Sequence, residues 1–150
     1  VDASAQALDL VQQQAELNHV GDTVQVLKGD AFTTMKQLHE DGERFDMVII
    51  DPPAFIVRRK DIKSGELAYQ RANQLAMRLL NAEGILVSAS CSMHLERARL
   101  TLLLQEACRK NGRMGQALEQ GGQGGDHPVH PAISETDYLK SVILRAWYED

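Results

Sequence analysis

The sequence predicts an α/β protein built on a doubly wound, mainly parallel sheet that ends in an antiparallel C-terminal strand pair. Three observations lead there. Strand-like apolar runs alternate with segments of helical periodicity, and that alternation demands right-handed crossovers and helices on both faces of a sheet. Phe45-Asp46-Met47-Val48-Ile49-Ile50 is almost continuously apolar, the composition of a strand covered on both faces. No helix separates the last two strands, so they pair antiparallel and place a reversed strand at or near one sheet edge.

Taken in order, Ser4 can cap a helix reaching to about residue 18, with Leu8, Val11 and Ala15 on one stripe. Val24-Gln25-Val26-Leu27 reads as a short strand closed by Lys28-Gly29-Asp30, and residues 32–40 as a helix with Phe32, Met35 and Leu38 inward. After the turn Asp41-Gly42-Glu43, the apolar strand 45–50 stops at Asp51-Pro52-Pro53. A loop made basic by Arg58, Arg59, Lys60 and Lys63 leads into a helix over about 65–80 that presents Leu67, Leu75 and Leu79 to the core. Asn81-Ala82-Glu83-Gly84 is a turn, and residues 85–89 form an interior strand ending in Ser90-Cys91-Ser92. A helix over about 95–111 carries Ala98, Leu102 and Ala107 on one face. Residues 114–120 are a weaker strand, Gly121-Gly122-Gln123-Gly124-Gly125 is flexible punctuation, and residues 138–148 form the long last strand.

A chain of 150 residues, 43% hydrophobic and 25% charged, fits one domain with a real core, which excludes disorder throughout. Its net charge of −5 gives no overall attraction to phosphate backbones, although local basic stretches remain available. Without an apolar run of about 18 residues, and with neither a basic start nor a signal core at Val1-Asp2-Ala3-Ser4, the expectation is a cytoplasmic protein with no membrane partner. Two cysteines, Cys91 and Cys108, are too few for a disulfide scaffold and are read as free thiols.

In sheets of this kind ligands bind outside the carboxyl ends of the strands, where Asp2, Asp30, Asp51 and Cys91 are all expected, converging on one crevice. Asp2 is placed as an acid that accepts ribose hydroxyls; the alternative is a solvated terminal residue. Asp30 after Gly29 suits the exocyclic amine of an adenine, and is equally half of a common turn pair. In Asp51-Pro52-Pro53-Ala54-Phe55 the two prolines fix the backbone and remove two N–H donors. Carbonyls are left free beside a rigid carboxylate, a set suited to a planar, amine-bearing base; a proline-stopped strand with a capping Asp is the plainer account.

Cys91 follows a buried strand, close to the expected start of a helix and to His94. It is either a nucleophile or a structural thiol. Cys108, inside an amphipathic helix one turn from Leu104, is packing. Asp126, His127 and His130 supply too few ligands, so no metal is expected. The basic run 58–63 is a phosphate contact or a solvated loop, and Tyr69 and Trp147 are packing residues.

These residues resemble the class I S-adenosylmethionine-dependent methyltransferases, and within them the RNA cytosine-5 methyltransferases similar to the bacterial enzymes acting on large-subunit ribosomal RNA. The resemblance runs in order along nearly the whole chain. Val1-Asp2-Ala3-Ser4 is similar to the ribose-binding acidic motif and Gly29-Asp30-Ala31-Phe32 to the adenine-side motif. Asp51-Pro52-Pro53-Ala54-Phe55 resembles the substrate-side motif and Ser90-Cys91-Ser92 the nucleophile motif, with Asp126-His127-Pro128-Val129 and Tyr138-Leu139-Lys140 as closing signatures.

The resemblance implies S-adenosyl-L-methionine as cofactor, held by Asp2, Ala3, Asp30, Ala31, Asp51 and Pro52. It also implies a ribosomal RNA substrate contacted by Pro53, Phe55 and His127, and catalysis by Cys91 with Asp51. Two departures stand out. Ala54 occupies the place after Pro53 where other cytosine-5 RNA methyltransferases carry a second cysteine. The glycine-rich first strand and the family's N-terminal RNA-binding modules are absent. Residues 1–150 therefore read as a partial catalytic domain with a Rossmann-like fold lacking its first strand, the C-terminal part of a longer enzyme, binding cofactor poorly in isolation and able to self-associate as a homodimer. The competing readings are a base amino-group methyltransferase with an inert Cys91 and a non-catalytic RNA-binding domain.

Overall fold

Ser4 starts the first helix as its chemistry suggests: its hydroxyl accepts from the Ala7 amide at 3.2 Å, and α1 spans Ala5–Leu17. The computed structural model describes residues 1–149, in two units, Val1–Gly42 and the chain from Glu43 onward. In the first unit α1 buries Leu8 and Ala15 but leaves Val11 45% exposed, a narrower stripe than the periodicity implied. Past the C-cap Asn18, His19 adopts a left-handed φ of 59° and ends the helix.

The strand expected at 24–27 does not form. Asp2 and Lys28 make an isolated parallel bridge, in which the Asp2 amide donates to the Leu27 carbonyl at 3.1 Å and the Gly29 amide to the Asp2 carbonyl at 3.0 Å. A strand is a ladder of such pairs, and one bridging residue is not a ladder, whatever the β-propensity of Val24 and Val26. Asp30 then caps α2, Ala31–Glu40, by accepting from the Thr33 amide at 2.9 Å. Phe32, Met35 and Leu38 are only half-buried on its inner face.

The second unit is built from β1 Phe45–Ile50, α3 Ile62–Leu79, β2 Leu80–Ser90, α4 Arg97–Lys110, β3 Arg113–Gly121 and β4 Lys140–Tyr148. The strand order is β1-β2-β4-β3, with β1 parallel to β2 and β4 antiparallel to both of its neighbours. Thus β1, β2 and β3 share one direction, and the reversed β4 lies one place in from the edge. This is the mainly parallel sheet with an antiparallel C-terminal pair that the sequence predicts.

α3 and α4 pack on each other and on the sheet, over a face that buries Leu86, Ser88 and Ser90 of β2 and Val142, Leu144 and Ala146 of β4. Each such leucine contributes about 1.5–3 kcal/mol by leaving water. The opposite side differs from expectation: Met47 and Ile49 are 53% and 66% exposed, because β1 is an edge strand and the helices of this unit lie on the other face.

Helix registers also depart from the sequence reading. α3 begins at Ile62, not at Gly65, and its inward residues are Tyr69, Ala72, Asn73, Leu75, Ala76, Met77 and Leu79, whereas Leu67 is 58% exposed. α4 begins at Arg97 and buries Leu100, Leu103, Leu104, Ala107 and Cys108; Ala98 and Leu102 face outward. The turn expected at 81–84 is a bulge inside β2. Phe45 opposes Leu80 and Met47 opposes Ile85, the extra residues being pinned where Asn81 Nδ2 donates to Asp46 Oδ1 at 2.6 Å. β4 starts at Lys140 because the amides of Tyr138 and Leu139 donate to Gln123 Oε1, at 3.0 and 3.3 Å, before any ladder begins.

Candidate active site

β1 and β2 are adjacent and parallel, with Ile50 opposite Ser88, so both strands deliver their carboxyl ends to one side of the sheet. The loop after β1 carries Asp51, Pro52, Pro53, Phe55 and Ile56; the turn after β2 carries Cys91 and Ser92. The half-buried Cys91 thiol faces the Pro52 carbonyl oxygen, 4.0 Å from its sulfur, a long and weak donation. Asp51 and Pro53 are exposed beside it, and Phe55 is half-buried with its ring edge-on to Tyr69, centroids 4.8 Å apart.

The two segments are tied together from below. Ile56, buried, donates its amide to Ser92 Oγ at 3.1 Å. Ser92 Oγ shares a 2.8 Å hydrogen bond with the Tyr69 hydroxyl, which accepts from Ser90 Oγ at 2.9 Å, and Ser90 Oγ in turn accepts from the Ser92 amide at 3.1 Å. Ser90, Ser92 and Tyr69 are all at most 1% exposed, so this closed network holds the residues on either side of Cys91 without solvent.

Gly65 completes the support. A Cβ there would lie 2.3 Å from Ile56 Cγ1 and 2.7 Å from the Phe55 carbonyl oxygen, so α3 approaches the loop backbone as only glycine permits. From β4, the buried Lys140 donates through Nζ to the Ser92 and Leu95 carbonyls at 2.6 and 2.7 Å. Burial pushes this ammonium below the usual lysine range and Arg97 adds to the effect, while Asp137 and Cys91 oppose it.

The structure therefore sets Cys91 against the loop that carries Asp51, Pro52, Pro53 and Phe55. It does not place Cys91 at a helix start: α4 begins only at Arg97, and a turn closed by the Leu95 amide on the Ser92 carbonyl at 3.1 Å intervenes. The stabilisation expected from a helix N-terminus is thus absent. His127 lies in an exposed loop with Nδ1 3.2 Å from Asp126 Oδ2, so its substrate role has no contact here to lean on. His130 Nδ1 accepts from the Ala132 amide at 3.1 Å. Among the described residues no group of three or more His, Cys, Asp or Glu side chains could hold a metal ion.

Arg58 pairs with Asp61 at 3.0 Å in the basic loop. In the first unit, Asp2 Oδ1 accepts from the Ser4 amide at 2.7 Å, and Asp30 Oδ1 accepts from the Thr33 amide and hydroxyl, both at 2.9 Å. Ala3 is exposed and Ala31 opens α2. The Asp2–Lys28 bridge sets Asp2 next to Gly29-Asp30, so two of the acidic segments singled out by sequence adjoin. Sequence reasoning took Tyr69 for packing and Gly65 for a helix start, and named Ser92 and Lys140 only within the nucleophile motif and the closing signature, not as supports of the loop. Only the serines flanking Cys91 carried a local signal.

The α/β fold of this chain is that of solved methyltransferase structures. SMU.776, assigned to the methyltransferases and solved with SAH, superposes with a TM-score of 0.80 at 19% identity, covering 95% of this chain and 37% of that one. In sequence, the chain is 35% identical over 147 residues to the ribosomal RNA large subunit methyltransferase I of Aeromonas salmonicida. It is 36% identical over 147 residues to the enzyme of the same name from Tolumonas auensis, and each match covers 97% of this chain. The chain spans 37% of the length of these curated relatives. No family model matches it.

Proposed function

We propose that this chain is a catalytic part of a longer cytoplasmic enzyme that methylates carbon 5 of a cytosine in large-subunit ribosomal RNA, using S-adenosyl-L-methionine and a covalent Cys91 intermediate. The observation that carries this reading is the half-buried Cys91 thiol facing the Pro52 carbonyl of the Asp51-Pro52-Pro53 loop. The named relatives support ribosomal RNA as the substrate class. Among the described residues no helix is long and apolar enough to cross a membrane.

Carbon 5 of cytosine is a poor nucleophile until a thiolate adds to carbon 6. In this scheme the Cys91 sulfur forms a bond to carbon 6, and the electron pair of the 5,6 double bond passes to carbon 5 through an enamine. Asp51, rigid on its proline-stopped strand, hydrogen-bonds the base and protonates or orients its ring nitrogen; the Pro52 carbonyl accepts from the exocyclic amine. Bound S-adenosylmethionine supplies the methyl group. Transfer of the carbon 5 proton to a solvent water then restores the double bond and breaks the sulfur–carbon 6 bond, expelling Cys91 as thiolate. Pro53 and Phe55 bound the base, which must leave any stack to reach them.

The chemistry of the donor set suits that cofactor. Asp2 offers a second carboxylate oxygen beyond the one that takes the Ser4 amide, as a ribose acceptor. Ala3, Asp30 and Ala31 form the adjoining backbone. The test is nucleoside analysis of ribosomal RNA methylated by the full-length enzyme and by its Cys91→Ala variant. The proposal expects 5-methylcytidine from the first and none from the second. A base methylated on its amino group by both would make the runner-up correct, and RNA binding without any methylation would make the chain a binding domain.

A further inference from the structure

Lys140 has no part in the scheme above, yet it is the buried cation of this site. It is 5% exposed, and both hydrogen bonds of its Nζ go to main-chain carbonyls of the turn that follows Cys91, those of Ser92 and Leu95. An ammonium in such surroundings is expensive for the fold, whereas a methionine would fill similar space without desolvating a charge. Its placement is specific. Ser92 is already held through its hydroxyl by Tyr69 and by the Ile56 amide. Lys140 takes the carbonyl of the same residue, so Ser92 is held at its hydroxyl and at its carbonyl, directly after Cys91.

We propose that Lys140 is a positioning residue for Cys91: by clamping the Ser92 and Leu95 carbonyls it holds the turn that follows Cys91 and so aims the thiol at the base. This rests on reading Cys91 as the nucleophile. In this role Lys140 acts through the turn.

The test uses Lys140→Met, Lys140→Gln and Lys140→Arg in the full-length protein, each checked by circular dichroism. In the folded neutral variants iodoacetamide labels Cys91 at least about 3-fold faster at one fixed pH, because the turn that holds the thiol against the Pro52 carbonyl is released. In the same variants kcat falls by about 10- to 100-fold while KM for RNA and cofactor holds. Lys140→Arg keeps the labelling rate near that of the unmodified protein. An unchanged labelling rate in a folded neutral variant overturns the proposal, and so does unfolding of both neutral variants, which would make Lys140 purely structural. The labelling arm needs no methyl transfer. If Cys91→Ala stays active, the parent reading fails while the Lys140 labelling rate is still read.

Discussion

Cys91 precedes α4 in the chain and Cys108 lies within it, and their surroundings could hardly differ more. Cys108 is buried in the last turns of α4, where a Cβ on Gly115 of β3 would meet its sulfur at 2.7 Å. It contributes to the lining of an apolar groove of about 680 Å³ together with Leu104, Val142 and Leu144. Burial pushes its thiol up from the ordinary value, which keeps it protonated and inert. Cys91 is half-exposed at a strand end, with the Pro52 carbonyl oxygen 4.0 Å from its sulfur and anchored serines on either side. One sulfur is a small apolar filler and the other is aimed. The difference comes from position: a helix interior surrounds a side chain with carbon, whereas a parallel strand end leaves it facing a loop.

Several changes would break or sharpen that contrast. Cys91→Ala is expected to lower methyl transfer by more than about 1,000-fold, and Cys108→Ala to leave kcat within a few-fold of the original, in steady-state assays of the full-length enzyme. Next in size, Gly65→Ala drives a methyl group into Ile56 and the Phe55 carbonyl. Loss of about 1–3 kcal/mol in chemical denaturation is expected, with activity falling alongside because the clash is beneath the Pro-Pro loop.

Tyr69→Phe removes one hydroxyl from the closed network and leaves Ser92 and Ser90 short of a partner. About 1 kcal/mol of stability should go, with a fall in kcat larger than any change in KM. The smallest effect concerns pH. The raised Cys108 thiol keeps its proton above pH 9.0, where the unfolded thiol has lost it, so its stabilising contribution is present below 9.0 and fades as pH climbs through the native value. Denaturation midpoints of Cys108→Ala should lack that alkaline component, and iodoacetamide at neutral pH should label Cys91 and spare Cys108.

How far the sequence carried this account depends on what each feature needs from its neighbours. The strand ends at Asp51 and Cys91 were legible because an apolar run stopped by two prolines, or by serines, is a local pattern. The sheet followed, including the reversed β4, because it depends only on the order of elements. Gly65 misled, since glycine reads as a helix boundary when nothing shows that the Phe55 backbone presses against it. Leu67 and Leu102 misled for a related reason: three leucines per two turns leave the choice of inward face to the packing partner. The strand at 24–27 failed because β-propensity supplies no ladder. Lys140 was named only within the closing signature Tyr138-Leu139-Lys140; its burial could not be read, as a lysine in a strand normally marks an exposed position, and only the turn from Ser92 to Leu95 gives it carbonyls to meet.

The central claim is that Cys91 bonds covalently to the cytosine being methylated. Incubating the full-length enzyme and S-adenosylmethionine with ribosomal RNA carrying 5-fluorocytidine blocks the last step, since fluorine cannot leave as the carbon 5 proton does. Mass spectrometry of the digested complex should find a nucleotide adduct on the peptide containing Cys91. Turnover on normal RNA with no adduct on that peptide, or an adduct carried by another residue, would contradict the account.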